Sequence, residues 1–374
     1  MGAPSGRATL ADVARAAGVS ASAASMALNG RGGVRQETRL RVLAAARAVG
    51  YRARRSAARD ATVLGVIPTD LGNAYHTDVI TGIERFAESV GYAVVIGHGR
   101  RDGDHLERQL ERMLGFGVDG VIAVTTWLSP STLAAAAAVL PVAVIGRMQD
   151  PVPGTDAVRC DDAAGAALAV RHLVQRGHRR LAHVTMSSRP GPASRRAGFA
   201  AEAARLGLAS GLGSGLGSGV GSRVGSGRDS GLGSSGPTGG PTGSVEVIGP
   251  EADWAAMDAR IDDLMRRIRS GDPAAPTAVF AANDIAAVRV LHRAADLGVR
   301  VPEQLSVVGY DSSTVALTVQ PHLTSVNQPR EEMGRLAAEM IRERLAGRAH
   351  DADLLVQPVL RERDSTGPAP RARR

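Results

Sequence analysis

No lysine occurs anywhere in the chain; all 45 of its basic residues are arginine. Without lysine there is no Schiff-base nucleophile and no Walker A loop, whose lysine holds nucleotide phosphates. The single cysteine, Cys160, excludes an intrachain disulfide and a thiolate zinc cluster. The nine histidines are scattered. His172 and His178 do not share a helix face as metal ligands, and His178 in R-G-H-R-R is expected to help close a helix C-terminus. Aromatic residues make up only 3%, so the core must be built from Ala, Val, Leu and Ile. Long apolar runs are missing too: the longest, residues 133–145, is interrupted by Pro141 and is too short for a bilayer. The opening M-G-A-P-S-G-R has no apolar stretch of the kind a signal peptide needs. These absences predict a cytoplasmic protein with no membrane partner, no metal and no cofactor.

What is present is an uneven charge. Residues 1–60 hold 11 arginines against three acids (Asp12, Glu37, Asp60), a surplus equal to the net +8 of the whole chain. Arginine displaces counterions condensed on a phosphate backbone, so a basic head on a balanced body suits nucleic-acid binding. Inside the head, Thr9 is placed to cap a helix with Asp12 at its third position. Leu10, Val13, Ala14 and Ala17 then form one apolar stripe. Gly18 suits the left-handed residue that ends this helix, and Ser20 caps a second over residues 21–29. That second helix is expected to bury Ala24 and Leu28 and to point Ala21, Ser22, Ser25 and Met26 outward. A third, residues 36–49, packs across them through Leu40, Leu43, Ala46 and Arg47. Two short helices joined at a glycine, with a third as support, form a helix-turn-helix whose second helix enters the major groove.

Three separated motifs carry a family resemblance: T-L-x-D-V-A-x-x-A-G-V-S (residues 9–20), S-x-x-L-N (25–29) and T-R-x-R-V-x-x-A-A-x-x-x-G-Y (38–51). Together they resemble the head of LacI-family transcriptional regulators. The expected DNA-facing set is Thr9, Ser20, Ala21, Ser22, Ser25, Met26, Asn29 and Arg35, with Arg52, Arg54, Arg55 and Arg59 of the linker. Two departures stand out. The family's recognition helix usually reads T-V-S, often with long polar side chains at its start, whereas Ala23, Ala24, Ser25 and Met26 stand here. Ser22 offers a hydrogen bond to a base edge, and Ala21 and Met26 offer only apolar contact, so affinity is expected to rest on arginine–phosphate contacts. After Tyr51 the family places a hinge helix whose leucine wedges into the minor groove. Here Asp60 occupies that place, and a carboxylate cannot act as an apolar wedge beside phosphates.

The remaining 314 residues alternate short apolar runs with amphipathic ones. Strands are predicted at 62–67, 93–96, 120–124, 142–145, 181–184, 245–248, 278–280 and 305–308. Helices are predicted at 77–90, 106–114, 163–176, 193–206, 254–269 and 285–297. Such alternation implies parallel sheets with helices on both faces. The resemblance continues through L-G-V-I (64–67), G-V-D-G-V-I (117–122), D-D-x-x-G-A (161–166), R-G-H-R-R-L-A (176–182), R-x-x-G-F (195–199), A-N-D (282–284) and V-V-G-Y-D (307–311). It implies an all-α helix-turn-helix head, residues 1–60, joined to an α/β two-lobed periplasmic-binding-protein-like body with parallel sheets, residues 61–374. Lobe 1 takes residues 61–160 plus 326–350, and lobe 2 residues 161–325.

The family closes its lobes on a small effector. Carried over position by position, the effector contacts are Arg195, Asn283 and Asp311, with Asn73, Tyr75, Trp127, Arg147 and Trp254. Arginine, aspartate and asparagine supply donors and acceptors for vicinal hydroxyls, and flat aromatics stack on the C–H face of a pyranose. A sugar is the expected effector, and double-stranded DNA with a near-palindromic operator is the expected partner of a homodimer. Residues 209–244, almost entirely Gly and Ser, read as a flexible insertion in lobe 2, since such a run cannot bury enough surface to become ordered. No G-x-G-x-x-G follows the first strand, whose exit reads I-P-T-D-L-G-N, and no paired base and nucleophile stands out, so catalysis is not expected. The alternative is a cytosolic sugar-binding protein or a sugar-converting enzyme on the same scaffold.

Overall fold

The structure is a computed structural model and describes residues 8–28, 33–49, 61–210, 244–249 and 253–371. The head consists of α1 (Leu10–Ala17), α2 (Ala21–Leu28) and α3 (Gln36–Ala48). Thr9 caps α1 reciprocally: its hydroxyl oxygen accepts from the Asp12 backbone N–H at 3.3 Å, and Asp12 Oδ2 accepts from the Thr9 N–H at 2.9 Å. Gly18 ends the helix at φ 63, and Ser20 Oγ accepts from the Ala23 N–H at 3.1 Å to start the next. The head's core is made of small residues, Val13, Ala14, Ala17, Ala24, Ala27, Val42, Ala45 and Ala46. Ala27 takes the innermost place expected of Leu28, which is only half-buried. The side chains of Leu40, Leu43 and Arg47 lie outside the described residues.

In chain order the body runs β1 (Val63–Pro68), α4 (Ala74–Ser89), β2 (Ala93–Ile96), α5 (Gly103–Phe116), β3 (Gly120–Val124), α6 (Pro130–Ala137), β4 (Val142–Ile145) and β5 (Thr155–Cys160). There follow α7 (Asp162–Gln175), β6 (Arg180–Val184), α8 (Pro190–Arg205), β7 (Ala209–Ser210), β8 (Ser244–Ile248), α9 (Trp254–Ser270), β9 (Ala278–Ala281) and α10 (Asp284–Asp296). The chain ends with β10 (Ser306–Asp311), α11 (Val315–Thr318), β11 (Thr324–Asn327), α12 (Arg330–Leu345), β12 (Asp353–Val356) and β13 (Val359–Arg361). Contacts divide the chain into two compact units, Met1–Asp161 with Gln328–Gln357, and Asp162–Asn327 with Pro358–Arg374. The chain therefore passes between units three times, and the third passage, after Gln357, is absent from the sequence-based expectation.

In the first unit a wholly parallel sheet has the order β12-β5-β4-β3-β1-β2. Its central strands are buried on both faces, which is why they read as unbroken apolar runs. Alternate residues serve opposite layers. Leu64 and Val66 of β1 pack with Ile83 of α4 and Ala337 of α12, while Val63 and Ile67 pack with Leu110 of α5. Two glycines bring α4 and α12 together: a Cβ at Gly82 would lie 1.9 Å from the Glu331 carbonyl oxygen, and one at Gly334 would lie 2.1 Å from that of Val79. Both obstacles are backbone, so neither can swing aside. Gly334→Ala is expected to lower stability by about 3 kcal/mol through overpacking, read as a drop in the urea midpoint. An unchanged midpoint would mean that the two helices part freely.

The second unit's sheet runs β13-β11-β10-β9-β6-β8-β7, parallel except for β13, which pairs antiparallel with β11. Here Phe199 of α8 and Leu173 of α7 cover one face, and Ile261 of α9 and Val290 of α10 cover the other. Within residues 209–244 the two ends are strand, not loop: Ala209–Ser210 form β7 and Ser244 begins β8, held by parallel pairing. Residues 211–243 lie outside the described residues. The backbone N–H of His178 does close α7 by donating to the Leu173 carbonyl at 3.1 Å. Its ring ties down the final segment instead, lying within 2.9 Å of Thr277 Oγ1, 3.0 Å of Ser306 Oγ and 3.1 Å of the Gly367 carbonyl oxygen. Among the described residues no helix is long and apolar enough to cross a membrane.

Candidate DNA-binding face and effector site

In the head, Ala21 and Ser22 are exposed at the start of α2, while Ser25 and Met26, expected to point fully outward, are half-buried. An eight-residue helix flanked by both α1 and α3 leaves room for only a narrow outer face. Thr9 and Ser20 are committed to their caps, and the Thr9 hydroxyl donates to Asp12 Oδ2 at 2.7 Å. Arg35 is exposed. Asn29, Arg52, Arg54, Arg55, Arg59 and the hinge position Asp60 lie outside the described residues.

Open α/β sheets bind ligands beyond the carboxyl ends of their strands, where the strand order reverses. In the first unit that point lies between β1 and β3. Asn73, just past β1, caps α4, its Oδ1 accepting from the Tyr75 N–H at 3.0 Å. Tyr75 is half-buried and meets His76 edge-on, with ring centroids 5.3 Å apart. Trp127 follows β3, its ring half-buried against the α5 and α6 layer. Arg147 follows β4 and lines a cavity of about 410 Å³ with Met148, Gln149, Arg159 and Asp353.

The second unit reverses its order between β6 and β9, and the most tightly organised group of side chains lies there. Arg195, projecting from α8, is only 11% exposed. Its Nε donates to Asp162 Oδ1 at 2.8 Å, and its Nη1 donates to the carbonyl oxygen of Ala282, just past β9, at 2.5 Å. The guanidinium lies over the Tyr310 ring, 3.8 Å from its centroid, and the Tyr310 hydroxyl donates to the same Asp162 oxygen at 3.2 Å. Burial alone would favour a neutral guanidine, but the Asp162 carboxylate, with Tyr310 and Asp311, outweighs it and holds Arg195 above its ordinary pKa. Asp311, at the end of β10, is 8% exposed and takes φ 104, a left-handed conformation that costs a non-glycine residue about 1–3 kcal/mol and concentrates at functional sites.

The other two positions are partly committed. Asn283 caps α10, its Oδ1 accepting from the Ala286 N–H at 2.8 Å, so its amide nitrogen remains as the donor. Trp254 opens α9 and is 37% exposed, and the guanidinium of Arg289 covers one face of its ring at 4.7 Å. Asp162 and Tyr310 are neighbours of Arg195 that sequence reasoning missed. Both stand inside the motifs D-D-x-x-G-A and V-V-G-Y-D, but nothing local shows that they meet. Among the described residues no cluster of His, Cys, Asp and Glu could hold a metal ion.

Comparison with known proteins agrees with this architecture. Residues 9–53 match "Bacterial regulatory proteins, lacI family", residues 61–212 match "Periplasmic binding proteins and sugar binding domain of LacI family", and residues 240–366 match "Periplasmic binding protein-like domain". The HTH-type transcriptional repressor PurR of Klebsiella pneumoniae is 28% identical over 370 residues, spanning 97% of this chain and 98% of that protein. The ribose operon repressor of Escherichia coli is 27% identical over 365 residues, spanning 96% of this chain and 99% of that protein. Among solved structures, a complex of the transcriptional regulator CelR with cellobiose superposes with a TM-score of 0.62 at 26% identity, covering 96% of this chain and all of that one. With a helix-turn-helix head, two parallel-sheet units and full-length similarity to repressors, this chain belongs to the LacI family of bacterial transcriptional regulators.

Proposed function

We propose that this protein is a cytoplasmic repressor whose homodimer grips a near-palindromic operator and whose operator affinity is set by a bound sugar. The observation that carries the reading is the arginine-rich, doubly capped helix-turn-helix on a body whose own charges balance. A two-fold dimer presents two heads to two half-sites, which is why the operator must be near-palindromic. The candidate effector contacts are Arg195, Asn283, Asp311 and Trp254 in the second unit and, in the first unit taken by itself, Asn73, Tyr75, Trp127 and Arg147. Relatives named for ribose and seen with cellobiose support a sugar. Linkage makes the coupling reciprocal: DNA must alter sugar affinity by the same factor. Catalysis has no part in this reading.

Fluorescence anisotropy on DNA from upstream of its own gene, against scrambled duplex, tests it. Tight binding to one palindromic fragment, released or strengthened by a sugar, is the expected result. Equal binding to both duplexes would sink the reading. Because few side chains of α2 reach outward to read bases, the affinity should be strongly salt-dependent, log K falling by about 0.9 per phosphate neutralised against log salt. A shallow slope with sharp sequence discrimination would contradict that balance.

A further inference from the structure

Two consecutive residues other than glycine leave β10 with positive φ, Asp311 at 104 and Ser312 at 51. An ordinary side chain keeps such a left-handed conformation only where its surroundings over-determine it. On the N-terminal side the sheet fixes the chain, since Tyr310 and Asp311 stand in register with Val326 and Asn327 of β11. On the C-terminal side the backbone is tied to one buried carboxylate, that of Asp284.

Asp284 is the first residue of α10, where the helix dipole favours a negative charge, and it is 1% exposed. Its Oδ2 accepts from the Ser313 N–H at 2.7 Å and from the Ser313 hydroxyl at 2.9 Å. Its Oδ1 accepts from the Ser325 hydroxyl at 2.6 Å, and Ser325 Oγ accepts in turn from the Ser312 N–H at 3.0 Å. Both peptide groups that follow Asp311 are therefore anchored to Asp284, one directly and one through Ser325. Gly309 makes room for the carboxylate against β10: a Cβ there would lie 2.5 Å from Asp284 Oδ1. Arg363 also reaches Ser312, but its Nη2 takes the hydroxyl, at 2.9 Å, and a side-chain contact does not orient a peptide plane.

We infer that Asp284 is a positioning residue for the effector site: through Ser313 and Ser325 it holds the backbone that aims the Asp311 carboxylate. The inference rests on the assignment of Asp311 to that site. The value of φ at Asp311 decides where its Cβ points relative to the strand. A relaxed backbone would carry the carboxylate elsewhere, and part of the binding energy would go into restoring it.

Thermal midpoints test this without any ligand. Asp311→Gly and Asp311→Ala both lose the carboxylate and its contacts, and they differ only in the Cβ. At an ordinary position glycine is the less stable of the two. In the parent the order should be reversed, Asp311→Gly melting about 4 °C above Asp311→Ala, because alanine keeps the strain and glycine does not. In a Ser325→Ala background the Ser312 N–H loses its tie to Asp284. The ordinary order should return there, with alanine about 2 °C above glycine. An Asp284→Ala background should do the same, and Ser325→Ala is the milder variant that keeps the test should Asp284→Ala not fold. Alanine above glycine in the parent would overturn the inference, since Asp311 would carry no strain to be held. Glycine keeping its lead in either background would overturn it as well, since other contacts would then hold the conformation. Failure of the effector-site reading shows separately, as a sugar response that survives Asp311→Ala.

Discussion

Arg195→Ala should abolish the sugar response while leaving operator binding intact. The guanidinium lies at the strand reversal of its sheet, and a charged hydrogen bond to a bound hydroxyl is worth about 1.5–3 kcal/mol, so sugar affinity should fall by up to about 100-fold. The head is untouched, since its core is made only of its own residues. A second effect must be separated from the first. Removing Arg195 strands the buried Asp162 carboxylate, and breaking a buried pair from one side costs about 3–5 kcal/mol. The double variant Arg195→Ala/Asp162→Asn removes the stranded charge and should regain most of that stability. It should not regain the sugar response. If sugar response returns along with stability, Arg195 supports the fold and does not touch the effector.

How much of this could be read from the sequence depended on the distance over which each residue acts. The central strands β1, β3, β4, β6 and β9 were legible because both their faces are buried and the apolar run is continuous. Strand β5 was not, because Asp156 and Arg159 interrupt it. Asp156 is fully buried there, held by Arg344, Arg348 and the Ala352 N–H, all nearly 200 residues away. Helix α12 went unrecognised in the same way, since its small face is spent on α4 at Gly334. In the site, Asn73 and Asn283 look alike in sequence and in structure: each ends a strand connection and caps the next helix. That spacing predicts the cap as readily as a ligand contact. The Asp162–Tyr310 contact spans 148 positions, and nothing in either motif announces it. What the head required, by contrast, was local from start to finish, and its caps at Thr9 and Ser20 stand where the sequence put them.

The body should also lose stability steeply in mild acid. His76, His178 and His183 are buried, and burial pushes each from an ordinary 6.5 down to about 4, because the imidazolium cannot be solvated there. His183 is the most enclosed, its ring stacked against both Phe199 and Phe280 with centroids 5.2 and 5.0 Å away. As pH falls through 6.5 the unfolded chain takes up these protons first. In the window down to about 4 it therefore binds more protons than the folded one, and the folded state loses ground. At about pH 5 each histidine has withdrawn on the order of 2 kcal/mol, a large share of a typical 5–15 kcal/mol stability for three together. Carboxylates held below their usual range, Asp156 among them, add their loss only at lower pH. Urea unfolding at a series of pH values measures the slope. His183→Phe keeps the ring stack and removes the titrating group, so it should flatten the acid limb by about 1.4 kcal/mol per pH unit. An acid limb as steep in that variant as in the parent would mean that His183 is already protonated in the folded protein, contrary to its burial against two phenylalanines.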